Sequence, residues 1–296
     1  MSTKTILIVG GTGLIGGYAA VAFRKAGYVV RILSRDATKA ALQFSAPYEV
    51  IQGDVTDPNA LAPAIDGCTG VHIVLPNVAA DEGVQSLEEI GCRNVIHAAA
   101  DAGVEQITYV SGTTVCDENA WFAPIRSKLL AEQVIAESGI PFTILKPTWI
   151  METLPKFVRG SRAMVFGKSR KKWRWVSAAD LARMTVRAHE NPDAAGKYLH
   201  ILGTEAFSFR EALELLSYVA FPSVRVKVIS FTALRIMALL YRRPQLTARI
   251  PLMKYFDRVT ETGDPSQANE LLGAPDIRLA EWARTLRDTV PDSGSS

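Results

Sequence analysis

Thr5-Ile6-Leu7-Ile8-Val9 runs without a break into Gly10-Gly11-Thr12-Gly13-Leu14-Ile15-Gly16-Gly17, and an alanine-rich apolar stretch then reaches Ala26 before Gly27. Aliphatic residues followed at once by glycines three apart predict a strand, a tight turn and a helix. In such a unit each glycine has its own task. Gly10 permits the turn, Gly13 lets a ligand's phosphates come up to the backbone, and Gly16 lets the helix pack close to the strand. The first helical amides face a bound anion, and the helix dipole favours negative charge there. The turn is therefore predicted to cradle the pyrophosphate of a dinucleotide, with an ordinary strand–helix turn as the alternative.

The next strand bears on which dinucleotide. Tyr28-Val29-Val30-Arg31-Ile32-Leu33 reads as a second strand closed by Ser34-Arg35-Asp36. An acidic residue near this strand end suits the ribose hydroxyls of NAD, whereas an arginine suits a 2′-phosphate. Ser34 and Arg35, with Lys39 one helical turn further on, favour NADP(H). Asp36 is left open between the ribose and a cap on the following helix.

Composition bounds the remaining possibilities. The chain has 296 residues, room for one large α/β unit and a smaller lobe, and 48% hydrophobic residues are ample for a core. A formal net charge of +3 is too small to imply nucleic acid. Cys68, Cys92 and Cys116 are an odd, widely spaced set without a C-x-x-C pair, which fits a reducing compartment and speaks against disulfides and structural zinc. None of the four histidines adds a metal site: His97, His189 and His200 lack partners at ligand spacing, and His72, inside an apolar strand, reads as a hydrogen-bonded core residue. Met1-Ser2-Thr3-Lys4 leads straight into the first strand with no secretory signal, and Phe231–Tyr241 is too short to span a bilayer. A soluble cytoplasmic protein with a small-molecule substrate is expected.

Strands and helices keep alternating. Glu49–Gly53 reads as a strand, Asp57-Pro58 as a capped helix start, Gly70–Leu75 as a strand apolar on both faces, and Ser86–Ala102 as a helix stopped by Gly103. Gln106–Val110, a helix over Lys128–Glu137, and the strand Phe142–Lys146 follow. This rhythm predicts a doubly wound parallel sheet, a dinucleotide-binding domain over residues 1–155, with ligands at the carboxyl ends of its strands. Residues 156–296 read as a smaller, mostly helical lobe. Within it Ser177-Ala178-Ala179-Asp180 and Ser208-Phe209-Arg210-Glu211 have capping-box spacing, Tyr198–Leu202 reads as a strand, and a helix over Leu279–Val290 precedes the tail Pro291–Ser296.

These segments resemble the short-chain dehydrogenase/reductase superfamily, in particular its atypical NmrA-like branch. The resemblance rests on Gly10–Gly16, Arg31–Arg35, Gly53-Asp54-Val55-Thr56-Asp57, Tyr109-Val110-Ser111-Gly112, Ser127–Glu132, Ser138–Trp149 and Trp175–Ala182. It implies cofactor contacts from Gly10, Thr12, Gly13, Leu14, Ile15 and Gly16 in the turn, and from Ser34, Arg35 and Lys39 after the second strand. It further implies Asp54 and Val55 near the adenine, and Leu75 and Pro76 after the fourth strand. Lys128 would sit on the nicotinamide ribose, and Pro147, Thr148 and Trp149 would line the nicotinamide face. Segment 177–203 would return to the first domain.

The departure from the family pattern matters more for chemistry. Typical members carry a tyrosine four residues before the lysine, and here that position is Pro124. Ser111 and Lys128 stand where the pattern places them, so these two are the candidate catalytic residues, without the phenolic acid. A ketone accepting hydride needs a proton on its developing alkoxide. Quinones, iminium ions, triarylmethane-type cations and activated alkenes do not, so positioning a hydride donor supplies most of what they require. The expectation is an NADPH-dependent reductase of a conjugated or cationic small molecule, with Lys128 positioning the ribose and Trp149, Trp121 and Phe157 forming apolar walls. The alternative is a non-catalytic NADP(H) sensor that binds a protein partner; a homodimer also stays open. Two further stretches are left between readings. Lys168–Trp175 is a basic–aromatic patch, read as a solvated loop with one tryptophan inward in preference to a nucleic-acid or anion site. Phe231–Tyr241 is either buried or a partner surface.

Overall fold

The structure, a computed structural model, describes residues 4–76, 85–242, 247 and 250–289. The chain alternates through β1 (Thr5–Val9), α1 (Leu14–Lys25), β2 (Val29–Ser34), α2 (Ala37–Gln43), β3 (Glu49–Gln52), α3 (Pro58–Ile65), β4 (Gly70–Ile73), α4 (Leu87–Asp101), β5 (Gln106–Val110), α5 (Ala123–Ala136) and β6 (Phe142–Pro147). Three short strands follow, β7 (Val158–Arg159), β8 (Arg162–Phe166) and β9 (Lys172–Arg174). After them come α6 (Ala178–Glu190), β10 (Lys197–Ile201), β11 (Ala206–Ser208), α7 (Phe209–Ala220) and β12 (Arg225–Ile229). The last elements are α8 (Phe231–Leu240), α9 (Ile250–Arg258), α10 (Ser266–Leu272) and α11 (Leu279–Thr289). The tail Pro291–Ser296 lies outside the described residues.

Seven strands form one parallel sheet in the order β10-β6-β5-β4-β1-β2-β3, the doubly wound α/β architecture the sequence predicts. Strand order runs outward in both directions from β1, so the crevice between β1 and β4 is the switch point where such sheets bind ligands. Alternation along β1 builds both layers. Ile6 and Ile8 pack with Phe23 of α1, Val30 and Ile32 of β2 and Val186 of α6. Leu7 and Val9 pack with Leu61 of α3, Cys92 and Val95 of α4 and Ala131 of α5.

Local chemistry sets the ends. Asp57 accepts from the Asn59 amide with Pro58 in the first turn of α3, and Ser86 accepts from the Glu89 amide to open α4. Gly27 and Gly103 follow α1 and α4 with positive φ. Helix α5 begins at Ala123 rather than near Lys128, because Pro124 occupies its first turn, where a missing amide proton costs nothing.

The described chain divides into two compact units, residues 1–147, 178–201 and 263–274 in the first, and 148–177, 202–262 and 275–296 in the second. In the first, the α10 segment is pinned to α6: Arg183 donates to the Ala274 carbonyl, and Arg187 to that of Leu272. In the second, β9 pairs with β11, and β8 lies between β7 and β12. An aromatic cluster fills it: Trp149 packs on Phe256 (centroids 4.5 Å apart), Phe209 (5.3 Å) and Trp175 (5.8 Å). Both Trp173 and Trp175 are buried there, not one of the two. Strand alternation turns them inward while Lys172 and Arg174 face out.

Candidate cofactor site

The glycine turn separates into residues the fold needs and one it does not. Gly10 has φ +85°, and a Cβ on it would stand 2.2 Å from the Val74 carbonyl oxygen. A Cβ on Gly16 would stand 2.3 Å from the Gly10 oxygen. Both must be glycine for β1, β4 and α1 to come together at all. Gly13 differs: its φ is an ordinary −78°, and a Cβ would meet only the Gly10 oxygen, at 3.2 Å. The protein hardly requires a glycine there, yet Thr12 and Gly13 are exposed at the head of α1. That helix has no side-chain cap and no acidic residue in its first turn. Its first intrahelical bond is Gly17 N–H to Gly13 O (2.9 Å), so the amides of Leu14, Ile15 and Gly16 precede the ladder. An exposed helix start without a side chain over it fits a pyrophosphate.

At the end of β2, Asp36 takes the capping role that the sequence offered as one of its two readings. Its carboxylate accepts from the Lys39 amide (2.9 Å) and caps α2, and its backbone exchanges hydrogen bonds with the Ser34 hydroxyl. Arg35 and Lys39 are exposed, and neither forms an ion pair among the described residues. Arg31, by contrast, is consumed structurally by Glu49 and the Ala64 and Asp66 carbonyls. Across β3, Asp54 accepts from the Thr56 amide and hydroxyl, which holds its carboxyl below the ordinary range, helped by the Arg35 charge. Val55 is buried. Beyond β4, which stops at Ile73, Leu75 is buried and Pro76 exposed. The structure thus gathers Gly10–Gly16, Ser34, Arg35, Asp54 and Leu75 at the carboxyl ends of β1–β4, on the strand ends, the loops after them and the first turn of α1.

The candidate catalytic residues are more deeply engaged than the sequence suggests. Lys128 is buried, and its ammonium donates to Glu88 Oε1 (2.6 Å), the Val110 carbonyl (3.1 Å) and the Tyr109 hydroxyl (3.3 Å). All three of its protons have acceptors inside the protein. Tyr109 also donates to Glu88 Oε1 (2.6 Å), and burial, then the Glu88 charge, push its pKa well above the ordinary phenol value. Ser111 donates to Glu132, which also pairs with Lys146 (3.2 Å). Burial raises the Glu132 pKa against the pull of Lys146. Lys146 donates in addition to the Val115 carbonyl (2.8 Å). Glu88 and Glu132 were missed by sequence reasoning. Glu132 lies one helical turn beyond Lys128, and Glu88 lies on the face of α4 that buries Cys92, so each carried a periodicity signal.

Pro147 ends β6, with its carbonyl on the Thr113 amide (2.9 Å). Thr148 and Trp149 belong to the second unit, where the Thr148 hydroxyl donates to Glu261 and Trp149 joins the aromatic cluster. Phe157 is buried against Phe209, whereas Trp121 is exposed and lies against Phe122. His72 is the core residue expected, its Nδ1 bonded to the Thr108 hydroxyl (2.8 Å).

A family model described as NAD(P)H-binding matches residues 10–192. A curated relative, the NAD(P)H azoreductase of Xenophilus azovorans, is 28% identical over 233 residues, 76% of this chain and 77% of its own. Another, the photosystem II assembly factor Ycf39 of a Synechocystis strain, is 24% identical over 268 residues, 87% of this chain and 80% of its own. Among solved structures, the NADPH-dependent quinone oxidoreductase QOR2 of Escherichia coli in complex with NADPH superposes with a TM-score of 0.73 at 22% identity, covering 95% of this chain and 99% of its own.

Proposed function

The chain belongs to the NAD(P)H-binding family, and from that premise we propose that it is an NADPH-dependent reductase of conjugated or cationic small molecules. Quinone, iminium and triarylmethane acceptors, and hydroxyl-bearing azo dyes through their quinone-like hydrazone tautomers, take hydride without a proton from the protein. The observation that carries this reading is the state of the phenols around Lys128. The position four residues before it is Pro124, locked into the first turn of α5. Tyr109, the phenol beside Lys128, is buried, holds its proton firmly and spends it on Glu88. Ketone reduction without a general acid forfeits a large part of its rate, whereas acceptors with stabilised products lose little.

A bound NADPH supplies the hydride, and the chain's own residues bind and orient it. The amides of Leu14, Ile15 and Gly16 would meet the pyrophosphate beneath Gly13. Ser34, Arg35 and Lys39 would take the 2′-phosphate, a role supported by the exposure of both cations and by their lack of an ion pair among the described residues. Asp54 would lie by the adenine. Lys128 would position the ribose by exchanging its long bond to the Tyr109 hydroxyl for a ribose oxygen, with Glu88 still holding its charge, and Ser111 would be held by Glu132. The names of the azoreductase and the quinone oxidoreductase support this class of acceptor.

The test follows NADPH consumption at its absorbance maximum with a quinone, an azo dye, a triarylmethane cation and a simple ketone. Turnover of at least one of the first three is expected, with none of the ketone, and Pro124→Tyr should add little to the reactive acceptor. Robust ketone reduction by the unaltered protein would refute the reading. The similarity to an assembly factor favours a second reading, a dinucleotide sensor without turnover. It would be adopted if NADPH bound tightly and no acceptor consumed it.

A further inference from the structure

Helix α8 presents an apolar face to solvent. Leu234 and Ala238 point inward, while Ile236 (53% exposed), Leu239 (79%), Leu240 (73%) and Tyr241 (66%) point out. Residues 236, 239 and 240 follow the three- and four-residue spacing of one helix face, with Arg235 a turn before Leu239 and Arg242 directly after Tyr241. Single exposed leucines are common, but two adjacent ones beside an isoleucine and a tyrosine on a ten-residue helix make a patch that calls for an occupant. Charge indicates which. From Leu215 to Phe256 the sequence holds no aspartate or glutamate, while Arg225, Lys227, Arg235, Arg242, Arg243, Arg249 and Lys254 fall within it. Arg225, Lys227, Arg235 and Arg242 are exposed, and none forms an ion pair among the described residues.

We propose that α8 docks in the plane of an anionic lipid surface, with Ile236, Leu239 and Leu240 entering the acyl boundary, Tyr241 at headgroup level, and Arg235 and Arg242 on the lipid phosphates. Apolar residues flanked by arginine on one exposed helix face are what an interfacial helix requires. No described helix is long and apolar enough to cross a membrane, so the attachment is peripheral. A second copy of the chain is the weaker occupant. A two-fold contact through this face would bring Arg235 and Arg242 towards their own counterparts with no acidic residue in the surrounding segment to offset them. The proposal is independent of the cofactor site, because α8 carries none of the residues assigned to it.

The test is co-sedimentation of the full chain with phosphatidylcholine vesicles containing phosphatidylglycerol, and with pure phosphatidylcholine vesicles, at low and high salt. Binding to the anionic vesicles is expected, weakened by about tenfold or more without the anionic lipid and weakened by salt, since each cation at such a surface is worth roughly fivefold. Leu239→Glu with Leu240→Glu should abolish it, and Arg235→Glu with Arg242→Glu should reduce it by at least about tenfold. Both changes are at exposed positions, and unchanged thermal stabilisation by NADPH would verify that the variants are folded. Absence of binding, equal binding to both vesicle types, or binding unaffected by the leucine changes would overturn the proposal. So would a dimer in sedimentation velocity that Leu239→Glu dissociates, since a second copy would then cover the face.

Discussion

Replacing Gly13 by valine separates what the glycine turn does for the fold from what it does for a ligand. The new Cβ would meet only the Gly10 carbonyl oxygen at 3.2 Å, and the backbone there, φ −78° and ψ 171°, is one a β-branched residue adopts freely. The loss to the free protein is that of a poorer helix cap plus a tight contact that makes the Gly10 carbonyl yield by a few tenths of an ångström, about 1–2 kcal/mol in all, or roughly 2–8 °C in Tm. A cofactor at about a hundred times its Kd stabilises a folded protein by about 2.7 kcal/mol, or roughly 5–10 °C. The isopropyl group stands over the amides that would hold the pyrophosphate, so this increment should vanish. Gly16→Ala provides the contrast. Its Cβ would lie 2.3 Å from the Gly10 oxygen and 2.8 Å from the Gly11 Cα, backbone atoms that move only if α1 moves off the sheet. That overpacking costs about 1–3 kcal/mol or more in the free protein. Differential scanning fluorimetry with and without NADPH reads both effects. A Gly13→Val protein with the full cofactor-induced shift would remove the phosphate cradle from the head of α1.

Arg35→Asp should weaken NADPH binding at least tenfold and leave NADH binding nearly unchanged, because a charge-assisted contact to the 2′-phosphate is worth roughly 1.5–3 kcal/mol; equal calorimetric losses for both cofactors would free Arg35 of that role. Lys128→Ala should destabilise the chain by about 3–5 kcal/mol before any effect on turnover, since Glu88, with Oε2 already lacking a partner, would be left buried without its cation. Lys128→Met combined with Glu88→Leu should recover most of that loss in urea unfolding, and a double variant no more stable than the single would refute the ion-pair account. His72 is fully buried and burial depresses its pKa from 6.5 to about 3. The unfolded chain therefore binds its proton first, so this contribution to stability is complete above pH 6.5 and falls towards pH 3, by about 1.4 kcal/mol per pH unit. His72→Gln should reduce the slope of unfolding free energy against pH in that window without abolishing it, because His189, on the same Thr108 hydroxyl, is also depressed to about 3 by burial.

Legibility from sequence followed the range of the interaction. The strand–turn–helix opening, the caps Asp57, Ser86 and Ser208, and the stops at Gly27 and Gly103 are all decided within a few residues, and the structure places each where the local pattern does. Position 124 carried two messages, of which only the loss of a phenol was read, while its role as a first-turn proline moved the start of α5. At Trp173 and Trp175 the flanking cations drew attention from the two-residue alternation that buries both rings. Asp36 could be placed only once its carboxylate was seen on the Lys39 amide. The partners of Lys128 were out of reach for a different reason. Glu88 lies 40 residues earlier on α4, and the contact exists only because α4 and α5 cover the same face of the sheet.

That contact changes the electrostatics of the first unit. Helix α5 carries Lys128 and Glu132 one turn apart, and each is matched by an opposite charge from another element, Glu88 of α4 and Lys146 of β6. The two buried pairs compensate one another's charge at the ends of β5 and β6. The exposed cations of the carboxyl-end loops, Arg35 and Lys39, lie instead with the head of α1, where phosphates would bind, and neither forms an ion pair among the described residues. Such a division suits a reductase whose cofactor is polyanionic and whose acceptor is apolar or cationic. On the proposed reading, anions would be drawn to one end of the crevice, while a cationic acceptor approaching Lys128 would meet an ammonium already neutralised by Glu88. A lone lysine at the same place would repel it, and the cost of burying that charge unpaired would fall on the fold as well.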